Sequence, residues 1–413
     1  VHRLKQILRP DHPTVRALTL ATMASATANG VFYTVSALFF TRVAGLPATT
    51  VGLGLTIAGA AGVAASFAAG RLCDRFGADR VLLIVTATQA VALLLYTSAR
   101  DVLTFTVIAC VAVGSRAMQG TARQTVLAVA FPGPDRVPVR ARMRVVTNVF
   151  IGLGSLLGGA ALLADTHAAY TTALVVVAVL SGFSCLPLRA LKLPAPEPVS
   201  RSGLDGSPLA DRRYLAVTAL NSLMSMHFGL ANVGIPLWVV FHTDAPAVTV
   251  SGLLLLNTTL VALLQVRLAR GTDDVGAASG AVALGGLLLA LACALYAGAA
   301  SAGVLGAVVL LVLAGVVHAL AEMRGEAGAW GLAFELADPR RPGAYQGVSQ
   351  TGYALGGMLA PLVVTTTAID HGTAGWAVLA GVFVTVGLLT RLIVRTTTSA
   401  PRRPVPPPVS QPS

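Results

Sequence analysis

Twelve stretches of almost unbroken apolar side chains alternate along the chain with short polar, arginine-bearing segments. A helix crossing a hydrocarbon core of roughly 30 Å needs about 20 such residues. The runs are Ala17–Phe40, Thr50–Ala69, Val81–Ser98, Val102–Ala130, Val145–Ala164, Ala168–Leu188, Tyr214–Phe241, Val250–Leu268, Val275–Ala299, Val304–Leu336, Tyr345–Thr367 and Ala374–Val394. The tenth is long and holds Glu322, Arg324 and Glu326, so two readings stay open for it. It is one helix to its end, or it stops near Met323 and continues to Asp338 as an amphipathic segment on the membrane surface. Residues Val1–Arg16 are basic but lead straight into a full-length run, so no cleavable signal is expected.

The longest internal polar stretch, 189–213, contains Pro194, Pro196, Pro198, Gly203, Gly206 and Pro208 and reads as a linker. It separates two six-helix halves, 17–188 and 214–394, flanked by an N-terminal segment, 1–16, and a Pro-rich tail, 395–413, expected to be disordered. Laying the second half on the first brings Asp74 next to Asp273 and Asn29 onto His227, a weak internal repeat.

Composition then excludes a soluble protein. The 413 residues are 55% hydrophobic and 11% charged, with a mean hydropathy of +0.76, whereas soluble domains carry roughly a quarter charged residues. The formal charge of +12 would suggest a nucleic-acid partner in a soluble chain. Here all but five of the 29 Lys and Arg fall on one side of the alternation. Arg42 and Arg100 lie opposite, and Arg116, Arg123 and Arg324 lie within runs. Positive loops mark the cytoplasm, so the expectation is a multi-pass cell-membrane protein with both termini cytoplasmic and no nucleic-acid partner. Cys110, Cys185 and Cys293 sit in apolar runs and Cys73 in a short loop, with no disulfide or metal spacing.

The connection after the second run reads Gly70-Arg71-Leu72-Cys73-Asp74-Arg75-Phe76-Gly77-Ala78-Asp79-Arg80, and the fourth run holds Arg116-Ala117-Met118-Gln119-Gly120. The fifth holds Gly152-Leu153-Gly154-Ser155-Leu156-Leu157-Gly158-Gly159. Together these resemble the signature loop, the intramembrane arginine motif and a degraded Gly-rich antiporter motif of the major facilitator superfamily, closest in look to its twelve-helix multidrug efflux members. Ala78 and Asp79 replace the family's usual basic residues, and the fifth run lacks the usual proline. The resemblance implies an all-α membrane protein of two pseudo-symmetric six-helix bundles around a central cavity. It also implies that Gly70, Asp74, Arg75, Gly77 and Arg80 act as a conformational latch, with Asp74 meeting the start of the eleventh helix near Tyr345–Gly347. The residues alone leave open a partner in Arg75 or Arg80, in the free N–H groups of a neighbouring helix N-terminus, or a loop whose charges only set topology.

Polar groups inside apolar runs need a cavity or a partner. A charged side chain at mid-span costs on the order of 3 kcal/mol, which singles out Arg116, with Gln119 one turn on. Arg123 is close enough to the end to snorkel. His318 and Glu322, four residues apart, share a helix face that Glu326 continues, and Arg324 points elsewhere without an evident partner. That face could carry a proton, or Glu322 could be solvated at the cytoplasmic mouth. Under the resemblance, Asn29, Arg116, Gln119, His227, His318 and Glu322 fall on the helices expected to line the cavity. Small residues, among them Gly154, Gly158, Gly352 and Gly356, suit close packing where two halves rock.

The expected function is a secondary transporter exporting small amphipathic compounds by alternating access, with protons as coupling ion. The alternative is a facilitator or symporter for a small, possibly anionic metabolite. A membrane sensor lacks a signalling domain here. An enzyme lacks a nucleophile constellation, and His227, His318 and Glu322 do not form a His-Glu-x-x-His metal motif, so neither cofactor nor metal is expected.

Overall fold

The computed structural model describes residues 13–131, 133–194, 207–272 and 274–398. The expected N-terminal segment up to residue 12, linker residues 195–206, the tail from 399 and Asp273 lie outside the described residues. Among the described residues there is no strand. The spanning segments are α1 (Pro13–Leu38), α2 (Ala48–Phe76), α3 (Ala78–Leu95), α4 (Val102–Ala130), α5 (Arg136–Ala164), α6 (His167–Leu188), α7 (Arg212–His242), α8 (Val248–Leu268), α9 (Val275–Ala299), α10 (Val304–Glu335), α11 (Pro342–Val364) and α12 (Gly372–Thr398). All but α1 pass a test of length and hydropathy for crossing a membrane. With its 26 residues, α1 is long enough as well, and it packs along α5.

Short side chains start several of these helices. Asp101 accepts from the Thr104 N–H, Asp211 from Tyr214 and Asp274 from Ala277, at 2.8–2.9 Å. Each satisfies a backbone donor that the first turn leaves free. The connection between α2 and α3 is tighter than the sequence suggests. Helix α2 runs on to Phe76, so the turn is Gly77 alone, with φ +92°, a conformation that disfavours any side chain. Cys73 is therefore buried in a helix rather than placed in a loop.

Two further boundaries differ from expectation. Helix α5 begins at Arg136 rather than Val145, so residues read as a basic loop are its first turns. Helix α10 is one continuous helix of 32 residues, which overturns the surface segment beyond Met323. Its last turns pack rather than float: Gly328 meets the backbone of Ala278, and Gly331 that of Thr272.

Helices α1–α6 and α7–α12 form two bundles. Each has its own apolar core, with Phe39, Phe40, Tyr96 and Phe105 in the first and Trp238, Tyr296, Trp376 and Phe383 in the second. A third cluster joins Leu82, Phe131 and Val139 of the first bundle to Ala327, Trp330 and Phe334 of the second. It lies at the end carrying Arg75, Arg80, Arg136 and Arg340, termed here the basic face. The opposite face has no shared cluster among the described residues. There Arg42 of the first bundle meets Asp165 of the same bundle at 2.9 Å, and the Tyr170 hydroxyl donates to that carboxylate at 2.6 Å. The Tyr170 hydroxyl, with Arg42 behind it, holds the Asp165 carboxyl below the usual carboxylate range.

The glycines expected at a rocking interface pack inside the bundles instead. Gly154 lies on Thr27 and Gly158 on Thr34, joining α5 to α1. Gly352 lies on Ser222 and Thr218, and Gly356 on Ser222 and Ser225, joining α11 to α7. Leu103, Leu156, Leu163 and Leu305 remain exposed on outer surfaces, as lipid contact requires.

Candidate functional site

Two stripes of residues at four-residue spacing face each other across the bundles. On α5 they are Arg136, Arg140 and Arg144; on α10 they are Glu322, Glu326, Trp330 and Phe334. A spacing of four keeps side chains on one helix face, and the helices run in opposite directions, so the rows pair end to end. Arg136 reaches Glu335 at 3.6 Å beside the basic face. One turn further in, the Arg140 guanidinium stacks 4.6 Å from the Trp330 ring and 5.8 Å from Phe334. Deepest of the three, Arg144 donates through Nη2 to Glu322 Oε1 and through Nη1 to Glu326 Oε2 at 3.3 Å.

This inner pair is shielded from water: the side chains of Glu322 and Glu326 are 4% and 8% exposed and that of Arg144 15%. Such burial is tolerable only with good geometry and further hydrogen bonds. Asn257 of α8 supplies one, donating to Glu322 Oε2 at 3.3 Å. Phe228 and Trp330 flank the Arg144 guanidinium at 5.3 and 5.6 Å. A narrow cavity lined by Arg140, Asn221, Ser222, Glu326, Trp330 and Tyr353 adjoins the pair, and Asn221 Oδ1 there is buried without a partner among the described residues.

The sequence pointed to Glu322 and Glu326 but placed Arg136, Arg140 and Arg144 in a topogenic loop. The readable signal was their own spacing of four, continuous in phase with the fifth run. Glu322 is not a solvated residue at a mouth, because its carboxylate is enclosed by both bundles. Arg324 has partners after all: it donates to the Leu268 carbonyl at 2.7 Å and to that of Arg270 at 3.1 Å.

A second inter-bundle contact lies nearer the basic face. Asp74 Oδ1 accepts from the Gly343 N–H and Oδ2 from the Ala344 N–H, both at 2.7 Å. These are unpaired donors of the first turn of α11, where negative charge is favoured. The partner thus lies slightly before the expected Tyr345–Gly347, because α11 already starts at Pro342. Gly70 and Gly343 make the approach possible: a Cβ on either would fall on the other's carbonyl oxygen. Arg75 and Arg80 are exposed and take no part in the contact.

Arg116 stands apart from both contacts. It is exposed, with its guanidinium 5.0 Å from the ring of Tyr33 on α1. Nine residues separate it from Val107, one of the exposed apolar residues of α4, and nine helical steps are half a turn out of phase. It therefore points away from the lipid side and into the space beside α1. No carboxylate pairs with it among the described residues. Gln119 leaves the expected cavity set: it is buried and donates to Gln89 of α3 at 2.6 Å, tying α4 to α3. Asn29 is half-buried on α1. His227 and His318 are both buried beside Glu322, one on α7 and the other on α10. Tyr33, Asn257 and Trp330 are polar or aromatic residues that no sequence pattern distinguished from their neighbours.

Comparison with known proteins gives a consistent picture. A family model described as Major Facilitator Superfamily matches residues 18–361. No curated protein matches the chain in sequence. Among solved structures, the human organic anion transporter MFSD10 (TETRAN) superposes with a TM-score of 0.71 at 16% identity, covering 94% of this chain and all of that one. FucP, a Major Facilitator Superfamily transporter in the outward conformation, gives 0.69 at 14% identity over 93% of this chain and 99% of its own. A bacterial homologue of the iron transporter ferroportin in an outward-facing state gives 0.70 at 12%, over 94% and 99%. At these identities the likeness is one of fold.

Proposed function

The chain belongs to the major facilitator superfamily, and we propose that within it the protein is a proton-coupled secondary transporter of small amphipathic compounds bearing a negative group. The observation that carries the coupling is Arg144 of one bundle holding two buried carboxylates of the other. With Glu322 and Glu326 ionised, parting the bundles at the basic face has to break both ion pairs to Arg144 across the bundles. With both protonated, the attraction to Arg144 is gone and the face is free to open. The groups facing the carboxylates are Arg140 and Arg144 of α5, His227 of α7, Asn257 of α8, His318 and Trp330 of α10 and Tyr353 of α11. A narrow cavity lies beside Glu326.

The positive-inside rule assigns the basic face to the cytoplasm, with the protein in the cell membrane. The proposed cycle is exchange: protonated carboxylates accompany opening to the cytoplasm, and ionised carboxylates accompany closure around an outward-bound compound. The latch of Asp74 on α11 reinforces the closed basic face. Arg116 supports the substrate class. Among the described residues it is an exposed intramembrane cation without a carboxylate partner, whereas Glu322 and Glu326 are already committed to Arg144. The fold accommodates both parts of this reading in other proteins, an organic anion transporter and a fucose:proton symporter.

Purified protein in proteoliposomes with an internal pH dye tests the reading. Acidic amphiphiles, cationic amphiphiles and neutral sugars are added in turn, and the sign of proton movement distinguishes exchange from co-transport. Proton movement evoked by the acids, lost in Glu322→Gln and in Arg116→Gln, is the expected outcome. Compounds that cross without proton movement would overturn the coupling, and a response to cations alone would overturn the substrate class.

A further inference from the structure

His227, His318 and Glu322 come from two helices, and the ligand-capable atoms of all three lie within 4.8 Å of one another in a fully buried pocket. The proposed transport cycle uses only the carboxylate and leaves both imidazoles without a task. His318 Nε2 and His227 Nδ1 are 3.4 Å apart, with the rings inclined at 73°. That is long for a hydrogen bond, whose usual range ends near 3.2 Å. It fits another geometry. Two nitrogens bound to one tetrahedral Zn²⁺ at about 2.0–2.1 Å stand roughly 3.3–3.4 Å apart.

The surroundings are those of a ligand set. The other ring nitrogen of His318, Nδ1, faces the Tyr296 hydroxyl, also at 3.4 Å, so Nε2 is the nitrogen turned toward His227. Metal-bound histidines characteristically have a polar group beside their second nitrogen. Glu322 Oε2 accepts from Asn257, while Oε1 is held by Arg144. His227 sits immediately after the turn at Ser225–Met226 that interrupts α7, so its ring is carried on an irregular backbone of the kind that lines sites within membranes. Two imidazoles and one carboxylate select a borderline first-row ion, while Mg²⁺ and Ca²⁺ prefer oxygen alone.

We propose that His227, His318 and Glu322 form a binding site for one divalent transition-metal ion of the Zn²⁺ type, with a fourth position left for water or another ligand. Glu322 closes on the ion by a short side-chain movement away from Arg144. The site does not depend on the proton-coupled reading.

Equilibrium dialysis of the tag-free protein in detergent against Zn²⁺, with elemental analysis, measures stoichiometry, and Co²⁺ titration followed by visible absorption reports geometry. The expected result is one ion per chain and a tetrahedral Co²⁺ spectrum. Affinity should fall at least tenfold in His318→Ala and in His227→Ala. His227→Cys guards against a variant that merely misfolds, since it should retain the ion and add a thiolate-to-Co²⁺ charge-transfer band. Zn²⁺ that fails to bind wild-type protein, or binds equally well to the double alanine variant, overturns the proposal, as does a Co²⁺ spectrum unchanged by His227→Cys.

Discussion

Arg144 serves two carboxylates that belong to the other bundle, and the energetics of that arrangement are lopsided. Removing the arginine leaves Glu322 buried without its ion-pair partner and Glu326 with only Arg140 nearby, whereas removing one carboxylate leaves the other paired. Loss of one partner of a buried ion pair costs about 3–5 kcal/mol. Arg144→Ala should therefore lower the midpoint of thermal unfolding in detergent markedly, and Glu326→Gln should lower it far less. An equal effect of the two would contradict the pairing. At Arg116 the expected loss is in transport rather than stability. A charge-assisted hydrogen bond is worth about 1.5–3 kcal/mol, so Arg116→Gln should raise KM for an acidic compound by about 10–100-fold with the melting midpoint near that of wild type. Arg116, Glu322 and Glu326 were legible in the sequence because a charge within an apolar run needs a reason to be there. Arg144 was not, because it sits at the polar margin of its run, where topology already accounts for arginine. Apart from its spacing of four from Arg140 and Arg136, only packing against α10 distinguishes it from the exposed Arg75 and Arg80.

At the level of helices, hydropathy located the crossings but not their ends. Helix α10, with 32 residues at about 1.5 Å each, is some 48 Å long, well beyond a hydrocarbon core of roughly 30 Å. Its final turns contain Glu326 and Glu335, so local composition reads them equally well as a surface segment. The deciding factor is the shared apolar cluster at Trp330 and Phe334, a contact between distant parts of the chain. The Asp74 contact was placed within a turn of its position by resemblance to a known loop, and a helix N-terminus was already among the partners open to that carboxylate; which N–H groups donate to it, those of Gly343 and Ala344, is visible only in the structure. The Gly70–Gly343 approach makes a sharp prediction. Gly70→Val puts a side chain onto the backbone of α11, so the basic face should open, and a single cysteine at Ala344 should react with a water-soluble maleimide several-fold faster than in the unmodified background. No change in labelling would separate this glycine contact from the closed state.

Across the whole molecule, the polar and apolar contacts described between the bundles gather toward the basic face, while the cores at the opposite face remain separate. Under the proposed function that is one end state of the cycle, and the expected outward-facing assignment follows once the basic face is placed in the cytoplasm. The arrangement in two six-helix bundles was readable from the twelve runs. Which end is closed was not, because closure depends on pairs such as Arg144–Glu322 and Asp74–Gly343 that are far apart in sequence. The central claim is that the charge on Glu322 and Glu326 holds the basic face shut. The most direct test is the distance between spin labels on cysteines replacing Phe76 and Pro339, in protein lacking its native cysteines, measured by pulsed electron paramagnetic resonance in lipid nanodiscs. The distribution should be short at high pH and gain a longer component as pH falls. In Glu322→Gln/Glu326→Gln protein the longer component should dominate at every pH. A short distance indifferent to both pH and the double substitution would contradict the account.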